Sequence, residues 1–451
     1  MKIVIVGTGN VGFHLAELLV NEGHDIVVID NNKETLRKLT ELIDVMGVFG
    51  DGSFYDVQIE AGVQHADLLI AATPRDEMNL LCCLLAKKIG ATRTIARVRN
   101  PEYSSQLFLL KNELGLSMSI NPELAAAREI ARILKFPAAL KVDTLAKGVA
   151  ELVQFKLSAE NPLKEKSLNS ISSKFLSNIL ISAVERENEV YMPKGDFVLK
   201  ENDKVHVIGK PKDIGNFFKS INHFLPQSKY VLIVGGGHIT YHTAKHIISM
   251  GMKVKIIEHS QKRCEELCEL LPKAVIVCGD ETDQDLLLEQ KIGNVDTFLA
   301  LTNSDEANLI VSMYAKFQDV PKVITKINRT NYVDVMQKMG IDCVISEQMI
   351  TSNMIARYVR SIQNTVGNSV ETLYKIINGK AEAIEFIARS TTINIGIPLH
   401  KLVVKKNLLI AALVRDGKLI IPDGNDHIEV HDNVIVVTTN KKLNDLNDIF
   451  K

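Results

Sequence analysis

Short apolar runs alternate with longer helix-period segments through the first third of the chain: IVIVG, DIVVI, LLIAA, TIARV and SMSI. Continuous apolar runs bounded by turn residues suit strands buried on both faces, and helical segments between them make the pairing parallel. KFPAAL at 135–140 breaks this rhythm. From 141 to 225 the pattern becomes GVAELVQFKL, ILISAVER, EVYMPKGDFVL and DKVHVIG, which reads as short strands and turns in a small β-rich α+β unit.

The same order is then written again. KYVLIVGGGHITYHTAKHIISMGMKVKIIE at 229–258 restates the opening thirty residues, with Gly7 matching Gly235 and Asp30 matching Glu258 at an offset of 228. Asp51 matches Asp280, Thr73 matches Thr302 and Asn79 matches Asn308 at an offset of 229. Pro193, Gly195 and Asp203 match Pro422, Gly424 and Asp432 at the same offset. A shift this steady marks a tandem duplication. The expected fold class is α/β, with two tandem Rossmann-like parallel-sheet domains, each followed by a small α+β domain. The expected boundaries are 1–135, 141–225, 229–360 and 367–451, with HFLPQSK at 223–229 as the central linker and VGNSVE at 366–371 as the second junction.

Length changes little in this picture: 451 residues suggest about three domains of about 150 residues, and the repeat makes them four smaller ones. The 53 basic and 54 acidic residues argue against a nucleic-acid partner bound through its phosphates. No apolar run reaches the length of a bilayer span, and Lys2 and Gly7 spoil any secretory signal, so a cytoplasmic protein is expected. The six cysteines include no CxxC pair, and buried reduced thiols are expected rather than a metal or redox role.

Gly7-Thr8-Gly9-Asn10-Val11-Gly12 follows an apolar strand and opens a helix, the context that a dinucleotide fingerprint needs. Gly7 allows the tight turn, Gly9 lets the backbone approach a pyrophosphate, and Gly12 lets helix pack on strand. Amides at the helix start then face phosphate oxygens. Asp30 ends the next strand, where a carboxylate accepts from ribose hydroxyls and repels a 2′-phosphate, so NAD(H) is expected over NADP(H). In the second half Gly235, Gly237 and Glu258 hold the equivalent places, but Thr240 replaces the third glycine and is expected to push helix from strand.

Asp51, Thr73 and Arg97 fall at strand ends that reach the ligand crevice of an open α/β sheet. Arg97 and Thr73 suit phosphate or ribose contact. Asp51 reads equally as a ligand contact or a helix N-cap. Lys326 stands in place of Arg97 in the second half. His238, His242 and His246 share a helical face, yet no carboxylate or cysteine joins them at ligand spacing, so no metal is expected. A dehydrogenase would also need a substrate pocket with a positioned acid or base. The residues that recur in the small domains, Pro193, Gly195 and Asp203 with their partners, read as turn formers. No catalytic residue is expected, and an NAD-dependent oxidoreductase remains the alternative.

With VGTGNVG and Asp30, GDGS at 50–53, AATPRDEMN at 71–79, IARVRNPEY at 95–103, Pro193 to Asp196 and ALTNSDEAN at 300–308, the chain resembles a known family along its whole length. It is similar to the peripheral NAD-binding subunits of Trk potassium-uptake systems, built of two RCK (regulator of potassium conductance) units. The resemblance implies that each unit is an RCK N-terminal and C-terminal lobe. It implies a homo-oligomer, a tetrameric ring of eight RCK units, on the inner face of the membrane beneath a potassium-translocating subunit. It further implies gating of transport by NAD(H) and by ATP or ADP. The partner could instead be a cation/proton antiporter. The apolar stretch MNLLCCLLAKK is a candidate assembly face, with domain core as the competing role.

Overall fold

The computed structural model describes residues 1–100, 103, 111–136, 138–171, 178–187, 189–221, 228–341, 343–364, 370–376, 380–440, 443 and 445–451. Most of the expected linker at 223–229 and of the junction at 366–371 lies outside the described residues, as do Pro101 and Glu102. The chain divides into two compact units: Met1–Ala131 with Lys229–Ala356, and Arg132–Ser228 with Arg357–Lys451.

The first unit holds two parallel sheets. In one, β1 (Lys2–Val6), β2 (Asp25–Asp30), β3 (Met46–Phe49), β4 (Leu68–Ala71), β5 (Arg93–Arg97) and β6 (Met118–Ile120) lie in the order β3-β2-β1-β4-β5-β6. Helices α1 (Asn10–Asn21), α2 (Lys33–Leu42), α3 (Tyr55–Glu60), α4 (Asp76–Ile89) and α5 (Pro122–Lys135) connect or follow them. The other sheet repeats the order as β14-β13-β12-β15-β16-β17. Its strands are β12 (Tyr230–Val234), β13 (Lys253–Glu258), β14 (Val275–Cys278), β15 (Thr297–Ala300), β16 (Lys322–Lys326) and β17 (Cys343–Ile345). Its helices are α7 (His238–Ser249), α8 (Gln261–Leu270), α9 (Gln284–Glu289), α10 (Asp305–Phe317), α11 (Val333–Lys338) and α12 (Glu347–Asn364); α6 belongs to the other unit. Strand order reverses between β1 and β4 and between β12 and β15, the topological switch where open α/β sheets bind ligands.

Central strands carry the expected apolar runs: Ile3, Val4, Ile5, Leu68 and Leu69 are fully buried. The edge strand β3 was absent from the sequence pattern because only Val48 of its residues is buried, while Met46 and Phe49 are half exposed.

The second unit holds two antiparallel five-stranded sheets, β10-β9-β11-β8-β7 and β18-β19-β22-β20-β21. The first contains β7 (Lys141–Leu145), β8 (Ala150–Lys156), β9 (Ile179–Arg186), β10 (Glu189–Tyr191) and β11 (Lys204–Gly209), followed by α6 (Pro211–Ser220). The second contains β18 (Val370–Ile376), β19 (Ala381–Ile387), β20 (Leu408–Arg415), β21 (Lys418–Ile420) and β22 (Asn433–Thr438). One face of each sheet joins a shared core in which Ala150, Leu152 and Ala183 meet Ala381, Ala383, Ala411 and Ala412. Small side chains let the two sheets approach closely. The opposite face of the first sheet packs Val153 and Phe155 against Phe217 and Phe218 of α6.

Candidate functional site

In the first groove, Gly7 has φ +97°, and an added Cβ would lie 3.0 Å from the Thr73 amide nitrogen. Glycine is needed there both for backbone conformation and for close approach to the end of β4. At Gly12 a Cβ would sit 1.9 Å from the Gly7 carbonyl oxygen, so the helix rests directly on the loop. Gly9 differs, because its backbone is ordinary extended chain and a Cβ would meet nothing within 4 Å. Its missing side chain leaves space for something outside the fold. Gly9 is also the N-cap of α1 and offers no side-chain cap, and no acidic residue occupies the first turn. The leading amides of Asn10, Val11 and Gly12 are thus free of a capping side chain, the arrangement that favours an anion. Asn10 is exposed, whereas the Val11 side chain turns into the core.

Asp30 faces this loop. Its Oδ2 accepts from the Thr8 amide and hydroxyl, each at 2.6 Å, and its Oδ1 accepts from the Asn32 amide at 2.8 Å. Oδ1 retains a lone pair, and the residue is partly exposed, so a ribose hydroxyl has an acceptor. Asp51 is not a helix N-cap: α3 is capped at Phe54, and the Asp51 carboxylate instead accepts from the Ser53 amide and hydroxyl at 2.9 and 2.7 Å. Asp280 makes the same turn with Thr282.

Thr73 donates its amide and hydroxyl to Asn79 Oδ1 at 2.8 and 2.7 Å. The buried Asn79 amide in turn donates to the carbonyl oxygens of Thr73 and Arg97 at 3.0 and 2.9 Å. One side chain thereby ties the end of β4 to the end of β5. Asp76, three residues earlier, accepts from the Arg99 and Asn100 amides at 2.8 Å each. Asn308 and Asp305 repeat both roles in the second half, which explains why the D-x-x-N spacing is written twice. Sequence reading noticed the recurrence of Asn79 but gave it no role.

Arg97 ends β5 with its Nε buried and without a hydrogen-bond partner among the described residues. Burial depresses its basicity and Arg99 adds to that, while Glu123, Glu347 and Asp76 oppose it. Burial, reinforced by Glu347, raises the Glu123 carboxyl above its ordinary value. Arg99 lies 3.8 Å from both Asp76 and Glu123. A cluster of partly satisfied charges, with Glu347 from the second half among them, therefore borders the first groove.

The second groove has the same loop with different satisfaction. Gly235 has φ +88°, and Gly237 again faces open space at the uncapped start of α7. Thr240 sits in the third glycine's place with its hydroxyl buried and donating to the Gly235 carbonyl oxygen at 2.6 Å. Glu258 is only 6% exposed. Its Oε2 accepts from the Gly236 amide at 2.5 Å and its Oε1 from the Ser260 amide at 2.9 Å, with His259 Nδ1 3.2 Å away. Arg263 Nε then donates to the Gly236 carbonyl oxygen at 2.7 Å. Lys326, unlike Arg97, is engaged, with Asn303 at 3.1 Å and Glu347 at 3.3 Å. The second acidic position is therefore more enclosed than the first.

His242 is buried and pushed down to about 4 by burial and by His238, His246, Lys245 and Arg128. Among the described residues no group of three or more His, Cys, Asp or Glu is arranged to hold a metal ion, and no helix is long and apolar enough to cross a membrane. Cys82, Cys83, Cys264 and Cys343 are buried as expected, but Cys268 and Cys278 are exposed. Cys82, Cys83 and Ala86 give MNLLCCLLAKK mainly to the core, with Leu81 left exposed. Gly195 and Gly424 sit in turns, whereas Asp203 and Asp432 do more than form turns. Each is buried and holds an arginine, Arg186 or Arg415, through two charged hydrogen bonds of 2.8–2.9 Å.

The TrkA-N domain signature matches residues 3–122 and 231–347, and the TrkA-C domain signature matches 152–222. The chain is 33% identical to the Trk system potassium uptake protein TrkA homolog 2 of Methanosarcina mazei, covering 100% of both chains. It is 34% identical to the Trk system potassium uptake protein TrkA of Halomonas elongata, covering 100% of this chain and 99% of that one. Among solved structures, the GsuK channel bound to NAD aligns with a TM-score of 0.64 at 17% identity, over 97% of this chain and 76% of that one. That likeness extends the fold across nearly the whole molecule.

Proposed function

The chain belongs to the TrkA family of Trk system potassium uptake proteins, and from that premise we propose that it is a nucleotide-sensing regulatory subunit and not an enzyme. NAD(H) binds the first groove, through Gly7, Thr8, Gly9, Asn10, Val11, Gly12 and Asp30, with Asp51, Thr73 and Arg97 at its border. The observation that carries this reading is the first loop itself: an uncapped helix start and an open Gly9 face beside Asp30, whose Oδ1 retains acceptor capacity. The orphaned Nε of Arg97 adds a buried donor suited to phosphate. Gly235, Gly237 and Glu258 form the second site, and ATP or ADP are further ligands.

Each sensing unit pairs two domains, 1–135 with 141–225 and 229–360 with 367–451. Four chains form a ring of eight such units on the cytoplasmic side of a Trk-type potassium-translocating subunit. An assembly face is supported by Ile310, Met313 and Phe317, exposed on α10 at helical spacing, and by Leu81 on α4. Ligand drives the ring only by its difference in affinity between two shapes, and about 1.4 kcal/mol shifts their ratio tenfold.

Calorimetry of the purified chain with NADH, NADPH and ATP, together with an NADH-consumption assay, tests the proposal. NADH binding without turnover, and recovery of the chain with a potassium-translocating membrane protein, is the expected result. Steady NADH oxidation that depends on one added substrate would instead establish an oxidoreductase.

A further inference from the structure

Three of the six thiols lie beside the second groove. Cys264 is in the first turn of α8, Cys268 stands one turn further along, and Cys278 ends β14. Cys278 is the register partner of Glu258 in the sheet. Cys264 Sγ donates to the Glu258 carbonyl oxygen at 3.3 Å, and Cys278 Sγ lies 3.9 Å from the carbonyl oxygen of His259. The two sulfurs thus sit against the carbonyls of consecutive residues, Glu258 and His259. Two sulfurs from different elements therefore meet at the strand end that carries the acidic residue. Cys278 is exposed and Cys264 is buried, so an oxidant in solution reaches Cys278 first. Cys82 and Cys83 lack this arrangement: both are buried, and as consecutive residues of α4 they do not face each other.

We propose that Cys264 and Cys278 form an oxidisable dithiol, converted to a disulfide by a peroxide. The Cys278 thiolate attacks one peroxide oxygen, the O–O bond breaks, and hydroxide leaves as water after gaining a proton. Cys264 sulfur then attacks the sulfenic sulfur; the S–S bond forms, the S–O bond breaks, and the Cys264 proton departs with the hydroxide as a second water. Two thiols lose two electrons and two protons to one hydrogen peroxide, which becomes two waters. Burial and the neighbouring Cys278 push the Cys264 thiol up to about 12, so Cys264 stays protonated and the exposed Cys278 is the thiol that meets the peroxide first. Arg263 precedes Cys264 in the chain, so the bond also fixes the turn that holds Arg263 on the Gly236 carbonyl.

The test treats the full chain with hydrogen peroxide, blocks remaining thiols under denaturing conditions and maps tryptic peptides by mass. Peptide 264–273 joined to peptide 274–291, lighter by two hydrogens than their sum and released by dithiothreitol, is the expected product. Because 264–273 also contains Cys268, the link must persist in Cys268→Ser and vanish in Cys264→Ser and Cys278→Ser. Six alkylatable thiols after treatment, sulfinic acid at Cys278 without a link, or a link made only through Cys268 would each overturn the proposal. Mapping of the unaltered chain together with Cys268→Ser decides the matter even where a serine at buried Cys264 disturbs folding.

Discussion

Thr240 donates its hydroxyl to the carbonyl oxygen of Gly235 at 2.6 Å, at the place where Gly12 leaves no room for a Cβ against Gly7. The two loops keep matching N-cap backbones, with ψ −178° at Gly9 and −177° at Gly237, by different means: one through contact, the other through a hydrogen bond. Exchanging these residues is expected to be asymmetric. Gly12→Thr forces the helix from the loop and should abolish NADH binding in the first groove. Thr240→Gly loses one buried hydrogen bond and gains a helical glycine, costing about 1–2 kcal/mol. Calorimetry and urea unfolding of both variants check this, and undiminished NADH affinity in Gly12→Thr would refute the packing account.

Asp30 has two duties that different substitutions separate. Asp30→Ala removes both the loop acceptor for Thr8 and the ribose acceptor, and NADH affinity should fall by about tenfold or more, since charge-assisted bonds are worth about 1.5–3 kcal/mol. Asp30→Asn keeps an acceptor for the Thr8 amide, so its folding stability should stay near that of the parent chain while affinity still drops. Equal NADH affinity in all three proteins would mean that the ribose lies elsewhere.

In the second unit, Arg186 and Asp203 form a two-pronged ion pair that recurs as Arg415 and Asp432. Asp203 is fully buried and also accepts from the Lys200 amide at 2.8 Å, so one carboxylate ties the end of β9 to the turn that leads into β11. Asp203→Ala strands the guanidinium and leaves that amide without its acceptor. The expected loss is about 3 kcal/mol, with Arg186→Met and Asp203→Ala together costing less than their sum. Urea denaturation of the single and double variants measures this coupling.

How far these features were legible depends on where each one gets its meaning. Central strands announce themselves because burial on both faces demands apolar residues at every position, as in Ile3 to Val6. Edge strands do not, and β3 and β7 were both missed: β3 leaves Met46, Gly47 and Phe49 exposed, and β7 carries half-buried polar residues at Lys141, Asp143 and Thr144. Gly7, Gly9 and Gly12 could be assigned from spacing because their roles are local. Asn79 could not, because bridging the Thr73 and Arg97 carbonyls requires β4 and β5 to be neighbours, a fact of topology. Glu258 matched Asp30 by position, yet its enclosure comes from the Gly236 and Ser260 amides and His259 closing around the carboxylate, which position alone does not tell. Asp203 passed for a turn residue because its partner lies seventeen positions earlier on another strand.

The second unit also carries a built-in sensitivity to acid. His206 on β11 is buried, with Nε2 3.2 Å from the Gln154 amide nitrogen, an arrangement that suits the neutral ring as acceptor. Burial first, then Lys141 and Lys204, push it down to about 3, with Asp143 opposing. Its folded value therefore lies below its unfolded value of about 6.5, so the unfolded chain binds a proton that the folded chain refuses. The resulting stability is complete above about pH 6.5 and is lost progressively as pH falls toward about 3; at pH 5 the loss is about 2 kcal/mol. Urea unfolding of this unit at pH 7 and at pH 5 should show that difference, and His206→Gln should remove most of it. His242, in the other unit and pushed down to about 4, would keep its own acid dependence in that variant, which serves as the internal control. An equal pH effect in His206→Gln and the parent chain would place the proton uptake on another group.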